Sequence, residues 1–262
     1  MARFCTMFSG SGGNCSYIGC GGSGLLIDAG VSARRIEKAL AEREIDPASI
    51  QAILVTHEHV DHVQGIKVLA KRYGYPIYAS HGPLAAMAAD DRLPPNAEIH
   101  ELTDAAVVGD MQVTMFHTSH DSAESVGYAV ETATGRKMAV CTDTGVLTDE
   151  AWNALVGCHL VQMESNHDVH MLETGVYPYP LKQRILSEHG HLSNDVCAAA
   201  LPLLAQKGTT RFILSHLSKE NNTPALAHAA SVTALTEAGL VGGIDYLLKV
   251  ASPTCEERWT VL

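Results

Sequence analysis

A dense group of ionisable side chains lies in residues 56–62, "THEHVDH", directly after the apolar run at 52–55. Because residues i and i+2 of an extended chain point the same way, His57 and His59 are expected to bind one cation together. Asp61 and His62 follow at the start of a predicted helix, where they turn towards a second cation. Neutral imidazole and carboxylate groups are the usual ligands of Zn²⁺ and related ions. The spacing therefore predicts a metal site.

Three more candidate ligands stand, like the first group, where an apolar run ends. They are His120 in "VTMFHTSHD", Asp143 in "AVCTDTG" and His216 in "RFILSHLS". A lone histidine after a strand is more often a surface or hydrogen-bonded residue, so each carries little weight alone. One ion takes about three or four ligands, however, so the first group needs partners from elsewhere. Asp143 has two carboxylate oxygens and could bridge two ions.

Short strands and helices must bring these distant groups together. Apolar patterns predict strands at 2–8, 15–20, 24–28, 51–56, 76–79, 97–101, 111–117, 125–131, 137–142, 159–164, 211–215 and 244–250, and helices at 32–44, 63–73, 148–156, 193–206 and 224–238. Pro202 predicts a kink or an earlier end in the helix at 193–206. Strands first, with helices interleaved throughout, predict a fold of the α+β or α/β class in which packed sheets carry outer helices. Periodicity alone leaves the exact topology open.

Composition limits the class of protein. The chain has 262 residues, of which 46% are apolar and 18% charged, as is typical of a globular protein. No linker or repeat divides it, so we expect a single domain over 1–262. The N-terminus does not resemble a signal peptide, and no run approaches the ~18 apolar residues of a membrane span. The expected location is the cytoplasm, away from the membrane.

The cysteines and the net charge narrow the possibilities further. The seven cysteines form no CxxC pair, and we expect them to be buried and reduced. They are Cys5, Cys15, Cys20, Cys141, Cys158, Cys197 and Cys255. The formal net charge of -11 argues against nucleic-acid binding through a broad basic face. It leaves room for a small positive site on an acidic body.

The motif "THEHVDH" resembles the HxHxDH signature of the metallo-β-lactamase superfamily, and the three later ligands are similar in spacing to that superfamily's other motifs. The segments "GSGGNCSYIG", "LLIDAGVSARRI", "ESNHDVHMLETGVYPYPLKQRILSEHGHLSN" and "LSHLSKENNTP" look like the YycJ/WalJ family of bacterial exonucleases. The likeness covers nearly the whole chain, and the long middle segment is far more specific than HxHxDH. It implies a four-layer αββα sandwich of two mixed β-sheets with outer helices, and 5′→3′ exonuclease action on DNA.

The resemblance also implies two divalent ions and a ligand set for each. One ion would take His57, His59, His120 and Asp143, and the other Asp61, His62, Asp143 and His216. Histidine suits Zn²⁺, whereas the aspartates also accept Mn²⁺, so the identity of the metal stays open.

Two further residues gain a catalytic role from the resemblance. In phosphodiesterases of this superfamily, a histidine upstream of the last ligand meets the scissile phosphate, and His191, 25 residues before His216, matches that place. It would hydrogen-bond a phosphate oxygen or pass a proton to the leaving oxygen. Glu164, which considered alone would be an ordinary surface acid, would orient that histidine. His189 is expected to be an ordinary loop histidine.

Several other residues are weaker candidates for substrate contact. Asn14 in "GSGGN" could lie beside a phosphate, and the helix N-terminus around Ser193 and Asn194 could supply donors to an anion. Lys182 and Arg184 either form a solvated face or contact the nucleic-acid backbone. Tyr177 and Tyr179, which flank Pro178, are expected to be packing residues rather than base-stacking ones.

The expected function is hydrolysis of a DNA phosphodiester by a hydroxide held between two metals, with Asp61 orienting the water and His191 assisting the leaving group. A thioester or lactam hydrolase could use the same ligands, although "GHLSN" and Asp61 as a ligand are not typical of zinc lactamases. A metal-bound adaptor in cell-wall or division control is a third hypothesis, against which a complete ligand set argues. The expected partner is duplex DNA with a 5′ end, and the oligomeric state is left open.

Overall fold

The computed structural model describes residues 1–254 and 259–262. Its strands are β1 (Ala2–Phe8), β2 (Cys15–Cys20), β3 (Ser23–Ile27), β4 (Ile50–Leu54), β5 (Ile77–Ala79), β6 (Ile99–Glu101), β7 (Ala105–Val108), β8 (Met111–His117), β9 (Val126–Glu131), β10 (Lys137–Cys141), β11 (Leu160–Glu164), β12 (Arg211–Ser215), β13 (Leu247–Val250) and β14 (Thr260–Val261). Its α-helices are α1 (Ala33–Ala41), α2 (Val60–Val63), α3 (Ile66–Tyr73), α4 (His81–Ala89), α5 (Asp149–Leu155), α6 (Val169–Thr174), α7 (Tyr179–Ile185), α8 (Asn194–Gln206) and α9 (Pro224–Glu237), with a 3₁₀ turn at Pro47–Ser49.

The strands form two mixed sheets, each of seven strands within the described residues. The first has the order β14-β1-β2-β3-β4-β5-β6 and the second β13-β12-β11-β10-β9-β8-β7. In the first sheet, the pairs from β3 to β6 are parallel and the others antiparallel. In the second, the pairs from β10 to β13 are parallel and the others antiparallel. Each sheet therefore has one half whose strands all end at the same edge.

Successive residues of the central strands pack into different core layers. In β4, Leu54 lies between the two sheets, whereas Ile53 packs under the helices that cover the first sheet. In β12, Ile213 lies between the sheets and Phe212 packs under the helices that cover the second. Strands that are buried on both faces carry continuous apolar runs, as these do. Helix, sheet, sheet and helix thus form four layers, as the resemblance implied.

Most predicted elements are present, and the differences have local causes. β1, β2, β8 and β12 have the predicted bounds, whereas β7, α4, α6 and α7 were not predicted. The last two are short helices that depend on an Asp168 cap and on Pro178 rather than on a long apolar pattern. Of the two effects predicted for Pro202, the earlier end is not observed, because α8 continues to Gln206, and the kink stays a prediction. Burial of Leu201 and Leu204 against the second sheet offsets the hydrogen bond that proline removes.

The cysteines that the structure describes are buried, as expected from the sequence. Six of the cysteines are buried, and Cys255 lies outside the described residues. Burial raises the pKa of the Cys158 thiol to about 11 and that of Cys197 to about 12, so both are neutral and unreactive near pH 7. Of the helices in the described part of the chain, none combines the length and apolar character that a membrane span requires.

Candidate metal centre

The "THEHVDH" segment forms the turn between β4 and α3, and the loop after β3 holds it in place. The amide of Ala29 donates to the carbonyl oxygen of His62 at 2.8 Å, and the amide of Gly65 donates to that of Ala29 at 2.7 Å. Gly30 lies directly against this turn, since a Cβ atom on it would meet the Asp61 carbonyl oxygen at 1.6 Å. Only glycine permits this approach. The segment "DAG" (28–30), in the loop between β3 and α1, therefore positions the HxHxDH motif.

The first ligand group contains His57, His59 and His120, whose ligand atoms all lie within 4.8 Å of one another. The ring centroids of His57 and His59 are 4.6 Å apart, and that of His120 lies 5.1 Å from His57. Residues 63 positions apart in the chain therefore meet because β4 and β8 end at the same edge of the sandwich. The fold thus brings together three of the four residues that the resemblance implied for one ion, and the ligand set itself stays a prediction.

The second ligand group contains Asp61, His62 and His216, again with ligand atoms within 4.8 Å of one another. Nε2 of His216 lies 3.9 Å from Oδ2 of Asp61, and Nε2 of His62 lies 3.8 Å from the same oxygen. His62 is fully buried, whereas the Asp61 side chain retains 27% of its exposure. One carboxylate of this group thus remains open to solvent and substrate.

Asp143 lies between the two groups. Its Oδ2 is 3.4 Å from Nε2 of His62, and its Oδ1 is 3.4 Å from Nε2 of His216 and 3.9 Å from Nε2 of His120. Its side chain is 3% exposed. The carboxylate contacts ligands of both groups, which is the position that a bridging ligand requires.

Three residues around the centre adopt left-handed backbone conformations at strand ends. Asp28 has φ 62°, Asp143 φ 57° and His216 φ 55°. This conformation is uncommon for residues other than glycine and costs about 1–3 kcal/mol, so surrounding contacts must hold it. For His216, the amide donates to Oγ of Ser9 at 2.7 Å and the carbonyl oxygen accepts from Asn166 at 2.8 Å. The backbone turns sharply at these points and aims each side chain across the edge of the sheets.

Hydrogen bonds at Nδ1 orient four of the histidines. Nδ1 of His62 lies 2.7 Å from Oδ2 of Asp28, Nδ1 of His120 lies 3.0 Å from the Gly190 carbonyl oxygen, and Nδ1 of His216 lies 2.9 Å from Oε1 of Glu164. Nδ1 of His57 lies 3.0 Å from the Thr56 hydroxyl, which itself lies 2.9 Å from Asp28. These acceptors place the proton on Nδ1 and leave Nε2 as the ligand atom.

Several of these ligand atoms are buried without a hydrogen bond in the described part of the chain. They are Nε2 of His57, Nε2 of His216 and Oδ2 of Asp143. A buried polar atom without a partner is costly, and buried polar groups are otherwise almost always satisfied. Three such atoms converging from different strands fit a bound cation, and imidazole with carboxylate is a suitable donor set for a divalent ion.

The pKa shifts of the candidate ligands also fit a bound cation. Burial lowers the pKa of His57 well below its usual range, and the neighbouring histidines lower it further. Burial also lowers the pKa of His62, but the carboxylates of Asp143 and Asp28 outweigh it and raise the pKa to about 9. Burial raises the pKa of Asp61, but contacts with His216 and His62 hold it well below its usual range. The carboxylates draw positive charge into the centre, which a metal ion supplies on binding as it displaces protons.

His191 and Glu164 form a pair beside the ligands. Nδ1 of His191 lies 2.7 Å from Oε1 of Glu164, and the same oxygen accepts from His216. The other oxygen, Oε2, accepts from the amides of Thr144 and Leu192 at 2.9 and 3.2 Å. Glu164 is completely buried, so it positions the two rings and does not face a substrate, whereas His191 keeps 20% of its side-chain exposure. Nε2 is then the nitrogen of His191 that a substrate can reach.

Contacts of Asn14 and Asn194 favour structural roles, against the expectation that they bind substrate. The Asn14 side chain is buried and bonds the amide and carbonyl of Gly10, and its Nδ2 lies 2.9 Å from Nε2 of His62. The amide of Asn194 donates to the His167 carbonyl oxygen, and its side chain joins a buried network with Asn222. Because these polar atoms are hydrogen-bonded within the protein, the amide of Asn194 at the start of α8 is not free to bind an anion.

The remaining substrate candidates are also engaged in the protein. Oγ of Ser193 caps α8 by accepting from Val196, and Nζ of Lys182 donates to the carbonyl oxygens of Glu173 and Gly175. Nε of Arg184 pairs with the carboxylate of Asp121. Tyr179 is 72% exposed, so the expectation that it packs in the interior is wrong. His189 is exposed and bonds Oγ of Ser119, as suits a loop residue.

Sequence reasoning missed several residues that hold the ligands. Asp28 and Thr56 orient His57 and His62, and Asp121 lies beside His120 with a 3.3 Å contact from its Oδ1 to Nε2. Asp28 follows the apolar run "LLI", so the rule that identified the other ligands would have found it. Thr56 and the Gly190 carbonyl carry no such signal, because their role depends on distant contacts.

Comparisons with known proteins decide the family. Residues 24–217 match the family model described as a Beta-lactamase superfamily domain. The chain is 38% identical over 253 residues to the exodeoxyribonuclease YycJ of Bacillus anthracis, with 96% of each chain covered. The chain belongs to the YycJ/WalJ family of the metallo-β-lactamase superfamily. A second YycJ/WalJ relative, the exodeoxyribonuclease WalJ of Streptococcus pneumoniae, is 36% identical over 79% of this chain and 78% of its own.

Solved structures confirm the fold of this YycJ/WalJ family member. The metallo-β-lactamase fold protein YhfI of Bacillus subtilis superposes with a TM-score of 0.71 at 15% identity, covering 97% of this chain and 98% of YhfI. The predicted four-layer sandwich and the resemblance drawn from the motifs are therefore confirmed. This fold also implies divalent metal binding, for which the two histidine and aspartate groups are the candidates.

Proposed function

We propose that this chain is a metal-dependent exodeoxyribonuclease that hydrolyses DNA phosphodiester bonds from a 5′ end. The observation that carries the proposal is the arrangement of two three-residue ligand groups on either side of Asp143, with His191 beside them. The substrate class comes from the relatives, which are named exodeoxyribonucleases and match this chain along most of its length.

The ligand groups support two divalent ions, Zn²⁺ or Mn²⁺. One would be held by His57, His59 and His120, the other by Asp61, His62 and His216, with Asp143 shared between them. When bound, the ions supply a lowered water pKa and positive charge that offsets the phosphate. They would also make the centre attractive to an anion in a chain whose formal net charge is -11.

The chain's own residues supply the remaining parts of the reaction. Asp61, the partly exposed carboxylate of its group, orients the attacking water and accepts its proton. Nε2 of His191 donates a proton to the leaving oxygen, while Nδ1 stays hydrogen-bonded to Glu164. Because Glu164 also holds His216, one buried carboxylate sets the positions of a ligand and of the proton donor together.

The two alternative functions are less well supported. A thioester or lactam hydrolase has no need of a histidine and buried glutamate pair beside the ligands, and the relatives are named as nucleases. A metal-bound adaptor in cell-wall or division control has no need of a centre that is open to solvent, whereas the side chains of Asp61 and His191 keep 27% and 20% of their exposure.

The test is cleavage of duplex DNA labelled at either end by the purified protein, with a panel of divalent metals. We expect release of mononucleotides from the 5′ label first, with Zn²⁺ or Mn²⁺ giving the highest rate. Hydrolysis of a thioester or a β-lactam without cleavage of DNA under any metal would refute the substrate class. Early release from the 3′ label would refute the direction alone.

Binding of DNA is expected to depend only modestly on salt. Lys182 and Arg184, the two cations expected to contact the nucleic-acid backbone, are engaged within the protein, so neither neutralises a phosphate without first leaving its partner. The slope of log K against log salt should be shallower than about -2, since each phosphate contact adds about -0.9. The measurement is the equilibrium affinity of the wild type across a salt series.

One arginine variant tests a phosphate contact in the salt series, and a second arginine variant is its control. If Arg184 leaves Asp121 to bind a phosphate, Arg184→Ala should reduce the slope by about one contact. Arg136→Ala, in the exposed turn between β9 and β10 at the far end of the sandwich, should leave it unchanged. A wild-type slope steeper than about -5 would instead indicate a broad basic groove.

A further inference from the structure

A cleft of about 180 Å³ opens beside His191 and His216. Its lining includes the apolar and aromatic side chains of Tyr177, Leu181 and Ile185, which lie in α7 and the turn before it. It also includes polar residues from the loops that follow β1 and β12, such as Ser11 and Ser218. The cleft is therefore continuous with the candidate metal centre and chemically different from it.

Specific contacts fix the turn that carries Tyr177. Nζ of Lys182 donates to the carbonyl oxygens of Glu173 and Gly175 at 2.8 and 2.7 Å, which ties the end of α6 to α7. A Cβ atom on Gly175 would meet the Met171 carbonyl oxygen at 2.6 Å, so the turn lies close against α6. Lys182 thus acts as a positioning residue for the aromatic wall of the cleft.

The size and charge of the cleft favour a nucleobase over a phosphate. Pockets that enclose drug-sized molecules exceed about 300 Å³, so this cleft suits a smaller group such as one base. Away from His191 and His216, the cationic side chain that lines the cleft is Arg184, and it is paired with Asp121 rather than free to bind an anion. Tyr177 is half-buried and presents an aromatic side chain to the cleft, and aromatic rings stack on any of the four bases.

The reaction direction indicates which nucleotide would lie there. In a 5′→3′ exonuclease that releases 5′-mononucleotides, the water oxygen bonds to the phosphorus between the first two nucleotides, and the phosphorus–O3′ bond breaks. The proton goes to O3′ of the first nucleotide, so the proton donor lies on the side of that nucleotide. His191 lines the cleft and is the proposed donor.

We infer that this cleft binds the base of the 5′-terminal nucleotide, with Tyr177 stacking on it. This inference rests on the proposed function. It names the unpaired terminal base as the recognised group, and it explains how an acidic protein could select a DNA end without a basic groove. Recognition by stacking is tolerant of sequence, so all four bases should be accepted.

The test combines removal of the base with removal of the ring. Substrates carry an abasic site at the first or the second nucleotide, and the first cleavage is timed with wild type and with Tyr177→Ala. A base stacked on an aromatic ring contributes about 5-fold to 150-fold, so the wild type should lose that factor in kcat/KM on the substrate abasic at position one. Tyr177→Ala should lose a similar factor on intact DNA and little more when the first base is absent.

Control variants separate stacking from a general loss of structure. Tyr177→Phe keeps the ring and should behave as the wild type, and Tyr179→Ala, which removes an exposed ring of the same segment that does not line the cleft, should keep the wild-type response to the missing base. A free deoxynucleoside 5′-monophosphate should inhibit the wild type more strongly than deoxyribose 5-phosphate does. The melting temperature of each variant is measured alongside.

Each outcome decides a definite point. Equal losses for abasic sites at positions one and two in the wild type would overturn the inference, and so would independent effects of base and ring. The wild-type comparison stands even if Tyr177→Ala does not fold. Absence of any DNA cleavage under every metal would refute the proposed function instead, which keeps the two failures distinguishable.

Discussion

Replacing His191 with alanine is expected to lower kcat by about 10²–10⁴-fold while the metal content of the protein stays the same. The ring lies outside the two groups assigned to the ions, although it also clusters with Asp143, Glu164 and His216. Its Nδ1 is hydrogen-bonded to Glu164 at 2.7 Å, which commits that nitrogen to the carboxylate. Its loss therefore removes the proton donor for the leaving oxygen without removing a ligand. The measurements are single-turnover cleavage of end-labelled DNA and elemental analysis of the same preparation.

Two comparisons make this result specific. His189→Ala removes an exposed ring from the same loop and should change kcat by no more than about twofold, as is usual for surface substitutions. Glu164→Gln should reduce both turnover and metal content, because Oε1 accepts from His191 and from the ligand His216. If His191→Ala loses metal in the way expected of Glu164→Gln, then His191 is a ligand and the assignment of His216 must change.

The Asp143→Asn variant is expected to lose both metal ions and to have no measurable nuclease activity. The wild type should bind close to two ions per chain, because Asp143 touches ligands of both groups at 3.4–3.9 Å. Changes to residues that merely support ligands cost about 10–100-fold in metal affinity, so removal of a shared carboxylate should cost at least the upper value. The measurement is metal titration of chelator-treated protein, followed by elemental analysis.

A matched control and one opposing outcome complete this test. Asp110→Asn removes a carboxylate at the exposed turn before β8, at the far end of that strand from His120, and should keep two ions per chain. A wild-type stoichiometry of one under metal excess would contradict the bridging role of Asp143. Retention of both ions by Asp143→Asn would show that the carboxylate is not a ligand.

The sequence alone located candidate ligands, since His57, Asp143 and His216 each stand where an apolar run ends. A strand buried on both faces must be apolar throughout, so the first ionisable residue after it is conspicuous. That rule identified His57, Asp143 and His216 and predicted β4, β10 and β12 with bounds within two residues of those observed. The resemblance of the "ESNHD…GHLSN" segment added His191 and Glu164, whose partnership no local pattern contains.

Only the tertiary structure decided which atoms of these residues face one another. The proton position on His62 depends on Asp28, and that on His120 depends on the carbonyl of Gly190, 70 residues further along the chain. Such contacts follow from the register of two sheets and from the close packing of loops, which periodicity does not record. The same packing engages Asn14 in the turn beside His62 and directs Lys182 to backbone carbonyls, so side chains that looked free in the sequence are structural in the fold. Local chemistry therefore indicated where the candidate ligands are, and the long-range packing of the sandwich determined which atoms of each are available to bind.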